Sequence, residues 1–128
     1  MKKIFVTRKL LKENEKKLES IFQVILNKDD KIYSSQEIID GSKDCDGILS
    51  SVTDKIDSGV ISKLSDSIKI IANGAVGYGN IDVKAAREKN ISVTNTPEVL
   101  TDATADISIL LLLGASRRAY EGRIAAEH

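Results

Sequence analysis

Strand-like and helix-like segments alternate along the 128 residues of the chain, and this alternation predicts an α/β protein. Five short apolar runs have the length and composition of buried strands, and the segments between them carry apolar residues on one helical face. Right-handed β-α-β connections place such strands side by side in one sheet. We therefore expect a parallel five-stranded sheet with helices on both faces.

The predicted strands, in chain order, are 3–7, 23–26, 46–50, 68–72 and 91–94. The predicted helices between them are 10–22, 34–41, 54–64 and 83–89. Ser34 is expected to cap the second helix because Glu37 stands three residues later, as in a capping box, and glycine at Gly41 is a common helix end. The third helix has one apolar face, formed by Ile56, Val60 and Leu64.

The last part of the chain differs, because one long helix is predicted after Pro97. Thr101 or Asp102 can cap it, and no helix breaker follows until at least Arg118. The helix is apolar around so much of its surface that we expect burial on more than one side; the residues concerned are Ile107, Leu110, Leu111, Leu112, Leu113 and Gly114. The pattern leaves two alternatives open, a covering helix that breaks near Gly122 or a helix that leads into a second domain.

Composition argues against several classes of function. The net formal charge is zero and no basic cluster occurs, so neither nucleic acid nor a membrane is an expected partner. Cys45 is the single cysteine and is expected to be a packed thiol, which excludes an internal disulfide and a thiolate metal cluster. The longest apolar stretch, 107–115, is shorter than the roughly 20 residues that span a bilayer, so we expect a cytoplasmic protein. The only histidine is His128, the last residue, and no internal histidine is available as a general base.

The most informative segment is the glycine-rich stretch 72–82, which directly follows a predicted strand. Its glycines, Gly74, Gly77 and Gly79, allow positive φ angles and the close approach of a ligand. Open α/β sheets bind ligands at such loops, beyond the carboxyl ends of their strands. Successive backbone N–H groups in the loop form a concave site that suits a carboxylate. The alternative is that the glycines serve only a tight turn.

The start of the predicted last helix, 100–106, is a second candidate site. Leu100 and Thr104 could face a ligand held near the glycine-rich loop. Asp102 and Asp106 have a purely structural explanation, since acidic residues in a first helical turn interact favourably with the helix dipole. On residue types alone, the structural explanation of this segment is favoured.

Several segments together resemble the D-isomer-specific 2-hydroxyacid dehydrogenases. The segments that carry the resemblance are 70–82, 85–86 and 91–97. Residues 5–10 and 96–106 are similar to the glyoxylate and hydroxypyruvate reductase branch, and the resemblance runs over nearly the whole chain. It implies a flavodoxin-like substrate domain, a Rossmann domain that binds NAD or NADP, a small 2-oxo or 2-hydroxy acid as substrate, and a homodimeric full-length enzyme.

The resemblance also implies roles for residues of this chain. The implied substrate-binding residues are Val76, Gly77, Leu100, Ser51 and Val52. The implied cofactor-binding residues, against the nicotinamide, are Val76 and Thr104. In the family the backbone N–H groups at the positions of Val76 and Gly77 hold the substrate carboxylate. Gly79 departs from the family, which usually has Asp or Asn there, and we expect a looser turn that still binds a carboxylate.

The family's catalytic Arg, Glu and His, and its G-x-G-x-x-G loop, find no counterpart in the sequence, so no catalytic residue is assigned. We therefore expect 1–100 to be an incomplete substrate-binding domain and 101–128 to be an interdomain helix leading to an absent NAD-binding Rossmann domain. The polypeptide alone is expected not to oxidise NADH with glyoxylate, and Leu110 to Leu113 predict self-association. The alternative is a non-catalytic module that binds a carboxylate or another protein.

Overall fold

The computed structural model describes residues 1–127, and His128 lies outside the described residues. The chain divides into two compact units, one over Met1–Pro97 and one that begins at Glu98. The division falls close to the boundary predicted after residue 100. The first unit contains the whole sheet, and the second unit is helical.

The first unit is an all-parallel sheet with helices between its strands. The strands are β1 (Lys3–Val6), β2 (Gln23–Ile25), β3 (Gly47–Ser50), β4 (Ile70–Asn73) and β5 (Ser92–Thr94). The helices are α1 (Lys12–Ile21), α2 (Ser35–Gly41), α3 (Ser58–Lys63) and α4 (Val83–Glu88). The strand order is β2-β1-β3-β4-β5 and every neighbouring pair is parallel, which is the order of the flavodoxin-like doubly wound fold. The predicted parallel five-stranded sheet is confirmed.

The core lies on one face of this sheet. Phe5, Ile48 and Ile71 stand side by side on neighbouring strands, and all three are at least 97% buried, with relative exposures of 3%, 1% and 0%. Helices α2, α3 and α4 cover them with Ile38, Val60, Ile61 and Ala86, and Leu64, the C-cap of α3, packs in the same cluster. Burial of each large aliphatic side chain contributes about 1.5–3 kcal/mol, so this layer is the main source of stability. Cys45 packs in the same layer, as expected, and burial raises the pKa of its thiol.

The opposite face carries helix α1. Side chains alternate across a strand, so Leu49 lies on the face opposite to Ile48. Leu49 lines a groove together with Leu18 and Ile21 of α1, which places α1 on that face. The prediction of helices on both faces of the sheet is therefore confirmed.

Helix α3 begins later than the predicted start at residue 54. Asp57 is its N-cap, and the Asp57 carboxylate accepts a hydrogen bond from the Val60 N–H at 3.1 Å. Asp54 is instead 1% exposed, and its carboxyl group binds Thr7 and the Ser51 N–H. The spacing predicted that Ile56 lies on this helix. In the structure Ile56 lies before the helix and pairs with Ile81 in an isolated parallel bridge. Long-range pairing of residues 54–56 therefore overrides the helical pattern there.

The predicted start and end of α2 are confirmed. The Ser34 hydroxyl accepts a hydrogen bond from the Glu37 N–H, and the Glu37 carboxylate accepts one from the Ser34 N–H at 2.8 Å, which completes a capping box. Gly41 is the last helical residue, and packing explains why a residue without a side chain stands there. A Cβ atom there would lie 2.5 Å from Cε2 of the buried Phe5 ring.

The second unit contains two helices, α5 (Thr101–Ser116) and α6 (Ala119–Glu127), where one uninterrupted helix to at least Arg118 was expected. The break lies at Arg118, which has φ of 51° and follows the C-cap Arg117, so that a left-handed residue ends the helix without a glycine signal. Gly122 lies inside α6, so the break near it that one of the two alternatives assumed is not found. Leu110 to Leu113 are between 56% and 69% exposed, so the expected burial on more than one side is not found. Within residues 1–127 no helix has the length and hydropathy needed to cross a bilayer.

Candidate functional site

Three loops meet at the carboxyl edge of the sheet, after β1, β3 and β4. The carboxyl ends of parallel strands share one edge, so these loops become neighbours although they are far apart in sequence. They surround a cavity of about 160 Å³ whose lining includes Thr7, Arg8, Lys9, Ser50, Ser51 and Gly74. The Gly74 N–H donates to the Ser50 carbonyl at 2.8 Å, which joins the glycine-rich loop to the end of β3.

The glycine-rich loop does not use the backbone freedom that the sequence suggests. No glycine among the described residues has a positive φ, so the expectation of left-handed glycines in this loop is wrong. A Cβ atom added to Gly74 would lie 3.3 Å from the Ser50 carbonyl oxygen, so close approach of neighbouring backbone explains that glycine. A Cβ atom added to Gly77 or Gly79 would meet nothing within 4 Å. The space beside these two glycines is open.

The backbone of this loop is held through its carbonyl groups. The carbonyl oxygen of Ala75 accepts from the Thr96 N–H at 2.9 Å, and that of Val76 accepts from Asn95 Nδ2 at 2.7 Å. The carbonyl oxygen of Gly77 accepts from Asn73 Nδ2 at 2.9 Å. In contrast, the N–H groups of residues 75–80, which include Val76 and Gly77, donate to no group within residues 1–127. The loop therefore presents a run of unused donors, and the adjacent N–H groups of Val76 and Gly77 within it suit an anion.

Two asparagines connect the glycine-rich loop with the loop after β3. Asn80 Nδ2 donates to the carbonyl oxygens of Ser51 and Asp54, each at 3.1 Å. Asn73 Nδ2 donates to Asn80 Oδ1 at 3.1 Å and to the Gly77 carbonyl at 2.9 Å. Both amide hydrogens of each side chain are used, so the network fixes the two loops relative to each other.

A buried carboxyl group ties the same region to the end of β1. Asp54 Oδ2 accepts from Thr7 Oγ1 at 2.5 Å and from the Ser51 N–H at 2.7 Å. Asp54 Oδ1 is buried without a hydrogen-bond partner among the described residues. Sequence reasoning assigned no role to Thr7, Asp54, Asn73 or Asn80. The signal that could have found the two asparagines is their position, since they bracket the glycine-rich loop on either side.

Arg8 and Lys9 are the cationic residues in the lining of this cavity, and the Arg8 side chain is already engaged. The Arg8 guanidinium donates to both Asp30 carboxylate oxygens, at 2.8 and 3.1 Å, and to Thr53 Oγ1 at 3.0 Å. The Arg8 side chain and the Lys9 N–H lower the pKa of Asp30 to about 2. The same ion pair raises the pKa of Arg8. Arg8 is therefore committed to Asp30, whereas the backbone N–H groups of Val76 and Gly77 are unused.

The structure brings together the predicted site residues of the first unit. Ser51 and Val52 follow β3, and Val76 and Gly77 follow β4, in two loops that the asparagine network joins. Val52 and Val76 are 62% and 38% exposed, so both present apolar surface to solvent.

The other two predicted residues, Leu100 and Thr104, belong to the second unit. The Thr104 N–H donates to the Leu100 carbonyl at 2.9 Å in the first turn of α5, and both side chains are exposed. No three His, Cys, Asp or Glu side chains of residues 1–127 group in a way that could hold a metal ion.

Comparison with known proteins places this architecture in a family. A glyoxylate reductase of Korarchaeum cryptofilum is 44% identical over 119 residues, which are 93% of this chain and 36% of that protein. A glyoxylate reductase of Thermococcus litoralis is 40% identical over 119 residues, again 93% of this chain and 36% of the relative. The chain thus spans about 36% of the length of these curated relatives.

A solved structure agrees with these relatives. A protein from Polaromonas sp. JS6 66, described as an NAD-binding D-isomer specific 2-hydroxyacid dehydrogenase, superposes with a TM-score of 0.87 and 35% identity. The match covers 99% of this chain and 40% of that chain. Residues 4–126 also match the sequence profile of the D-isomer specific 2-hydroxyacid dehydrogenase catalytic domain. The chain therefore belongs to the D-isomer specific 2-hydroxyacid dehydrogenase family.

Proposed function

We propose that this chain supplies the substrate-binding part of an NAD(P)-dependent oxidoreductase that interconverts a 2-oxo acid and its D-2-hydroxy acid. The proposed substrate class is that of glyoxylate and hydroxypyruvate, and the names of the relatives support it. The observation that carries the proposal is the pair of unused N–H donors at Val76 and Gly77, beside open space and next to the loop after β3. A carboxylate has two acceptor oxygens, one for each N–H group, and its negative charge is complementary to the partial positive charge of these donors.

In this proposal the chain binds and orients the acid. The N–H groups of Val76 and Gly77 donate to the carboxylate oxygens, which fixes the position of the adjoining C2 atom. Ser51 and Val52 lie along the substrate from the β3 side, and Leu100 is the further residue that we propose for substrate binding. The Arg8 guanidinium is already paired with Asp30, so the proposal assigns the carboxylate to the backbone donors.

NAD or NADP, when bound, supplies or accepts the hydride at C2 of the acid. Val76 and Thr104 are the residues of this chain that we propose lie against the nicotinamide. The side chains of Val76 and Thr104 are both exposed, so each is accessible for contact with a flat ring. We further propose that 1–100 act as the substrate-binding domain and that the segment from 101 connects it with a cofactor-binding domain.

Binding of glyoxylate to the chain and to two glycine variants tests the proposal. Gly77→Ala should weaken binding at least about tenfold, because the new methyl group fills the space beside the Gly77 donor. Gly79→Ala is the matched control, since a Cβ atom there also meets nothing within 4 Å, and it should bind as the unchanged chain does. Titration calorimetry measures the affinities. Equal affinities for the two variants, or equal binding of glycolaldehyde, which lacks the carboxylate, would contradict the proposal.

A further inference from the structure

We infer that Asn95 is a positioning residue for the substrate carboxylate, because its side-chain amide sets the direction of the Gly77 N–H group. The inference rests on the proposed function, in which that N–H group is a carboxylate donor. Asn95 follows β5 and belongs to the same unit as the glycine-rich loop. Its Nδ2 atom donates to the Val76 carbonyl oxygen at 2.7 Å.

The geometry of the peptide bond carries the argument. The Val76 carbonyl and the Gly77 N–H belong to one peptide unit, which is planar and trans, so the two groups point in opposite directions. A hydrogen bond that holds the carbonyl oxygen therefore also aims the N–H. Asn95 holds the carbonyl from the β5 side, and the N–H is left pointing away from that contact. Without Asn95 the peptide unit has no other hydrogen bond among residues 1–127 to fix its rotation.

The neighbouring peptide units are fixed by different groups. The unit that contains the Val76 N–H is held at the Ala75 carbonyl by the backbone N–H of Thr96, at 2.9 Å. The unit after Gly77 is held at the Gly77 carbonyl by Asn73 Nδ2, at 2.9 Å. Asn95 is thus the side chain that orients the Gly77 donor, whereas the Val76 donor depends on backbone alone. Loss of the Asn95 amide should affect one donor of the pair and spare the other.

We expect the Asn95 side chain to contribute little to the free energy of unfolding, because its hydrogen bond to the Val76 carbonyl oxygen is exposed to solvent. Water can replace an exposed donor, so removing the amide leaves no buried group unsatisfied. An effect of Asn95 on ligand affinity can therefore be separated from an effect on stability. Asn14 offers a matched control, as an exposed asparagine on α1 whose replacement alters no contact of the loop.

The test compares Asn95→Ala and Asn14→Ala with the unchanged chain by NMR. Without ligand, the residual dipolar coupling of the Gly77 N–H should fall in Asn95→Ala, while that of the Val76 N–H stays. Glyoxylate should bind Asn95→Ala about tenfold more weakly than it binds the unchanged chain, at an unchanged melting temperature. Asn14→Ala should match the unchanged chain in all three measurements.

The inference and the proposed function fail in different ways. If the unchanged chain binds glyoxylate and Asn95→Ala binds it equally well, with the same Gly77 coupling, the inference is overturned and the proposed function stands. If Asn95→Ala lowers the melting temperature and the couplings of both donors together, Asn95 is a structural residue and the inference is overturned as well. If the unchanged chain does not bind glyoxylate at all, the proposed function fails, and a substrate role of Asn95 fails with it.

Discussion

At the scale of single residues, a buried acidic group decides how two loops of the site are held. Asp54 is 1% exposed, and one of its oxygens receives both the Thr7 hydroxyl and the Ser51 N–H. Burying a carboxyl group is unfavourable unless such donors compensate for lost water. The Thr7 hydroxyl is therefore expected to contribute more to the free energy of unfolding than a hydroxyl on the surface.

Replacing Thr7 by valine tests this interpretation. Valine has nearly the shape of threonine, so the change removes the donor to Asp54 and leaves the buried group short of a partner. We expect Thr7→Val to lower the free energy of unfolding by about 1–3 kcal/mol, measured by chemical denaturation. Thr94→Val, at an exposed position of β5, is the control and should change stability little. A neutral effect of Thr7→Val would show that the contact contributes nothing.

Residue chemistry also explains how much of the site could be predicted. The location of the glycine-rich loop followed from its residue types, since glycines directly after an apolar run indicate a loop at the end of a strand. The way the loop is held did not follow, because Asn95 and Asn80 act on partners that only the folded sheet brings close. The expectation of positive φ angles at the glycines was also wrong. Close packing and open space, rather than left-handed backbone, account for Gly74, Gly77 and Gly79.

At the scale of elements, the first turn of α2 has a titratable cap. The Lys31 side chain, and then the backbone and hydroxyl of Ser34, lower the pKa of Glu37 to about 2 from its ordinary value of 4.5. A depressed pKa in the folded state means that the ionised group stabilises the fold. That contribution is complete above about pH 4.5 and is lost as the pH falls through about 2.

The variant Glu37→Gln should remove this part of the acid sensitivity. The difference in unfolding free energy between the unchanged chain and Glu37→Gln should be constant near neutral pH and shrink as the pH falls from about 4.5 to about 2. Lys31→Gln should reduce the pH dependence in the same window, because Lys31 is the largest cause of the shift. Denaturant titrations of the unchanged chain and of each variant at several pH values measure these differences in unfolding free energy. A difference that stays constant down to the lowest pH would contradict the assignment.

Elements with strong local signals were predicted well, and elements set by distant contacts were not. The strands and the capped start of α2 followed from short apolar runs and the Ser34–Glu37 spacing. The start of α3 was wrong because residues 54–56 pair with other parts of the sheet edge. The break between α5 and α6 was missed because Arg118 adopts a left-handed conformation that its residue type does not announce.

At the scale of the whole molecule, the second unit has a large apolar surface. Leu110 to Leu113 are each more than half exposed, and Ile107 and Ile109 are 49% and 56% exposed. Contiguous exposed apolar surface of this kind favours association in water. The helix that carries it is α5, and the described residues of its unit form helices only.

We expect the 128-residue polypeptide to self-associate through this helix. Sedimentation velocity should detect species heavier than the monomer, increasing with concentration. The double variant Leu111→Glu/Leu112→Glu should shift the distribution towards the monomer, because charged side chains are costly to bury in a contact. Ile32→Glu, which changes a single exposed apolar residue of the first unit, should not. A monodisperse monomer at all concentrations of the unchanged chain would refute this expectation.

The central claim is that the unused N–H groups of Val76 and Gly77 bind the carboxylate of a small 2-oxo acid. The most direct measurement is a titration of the isotope-labelled chain with glyoxylate, followed through its backbone amide resonances. We expect the amide resonances of Val76 and Gly77 to move most and to saturate, and glycolaldehyde to leave them in place. Saturable shifts that are largest elsewhere in the chain, or none at these two residues, would contradict it.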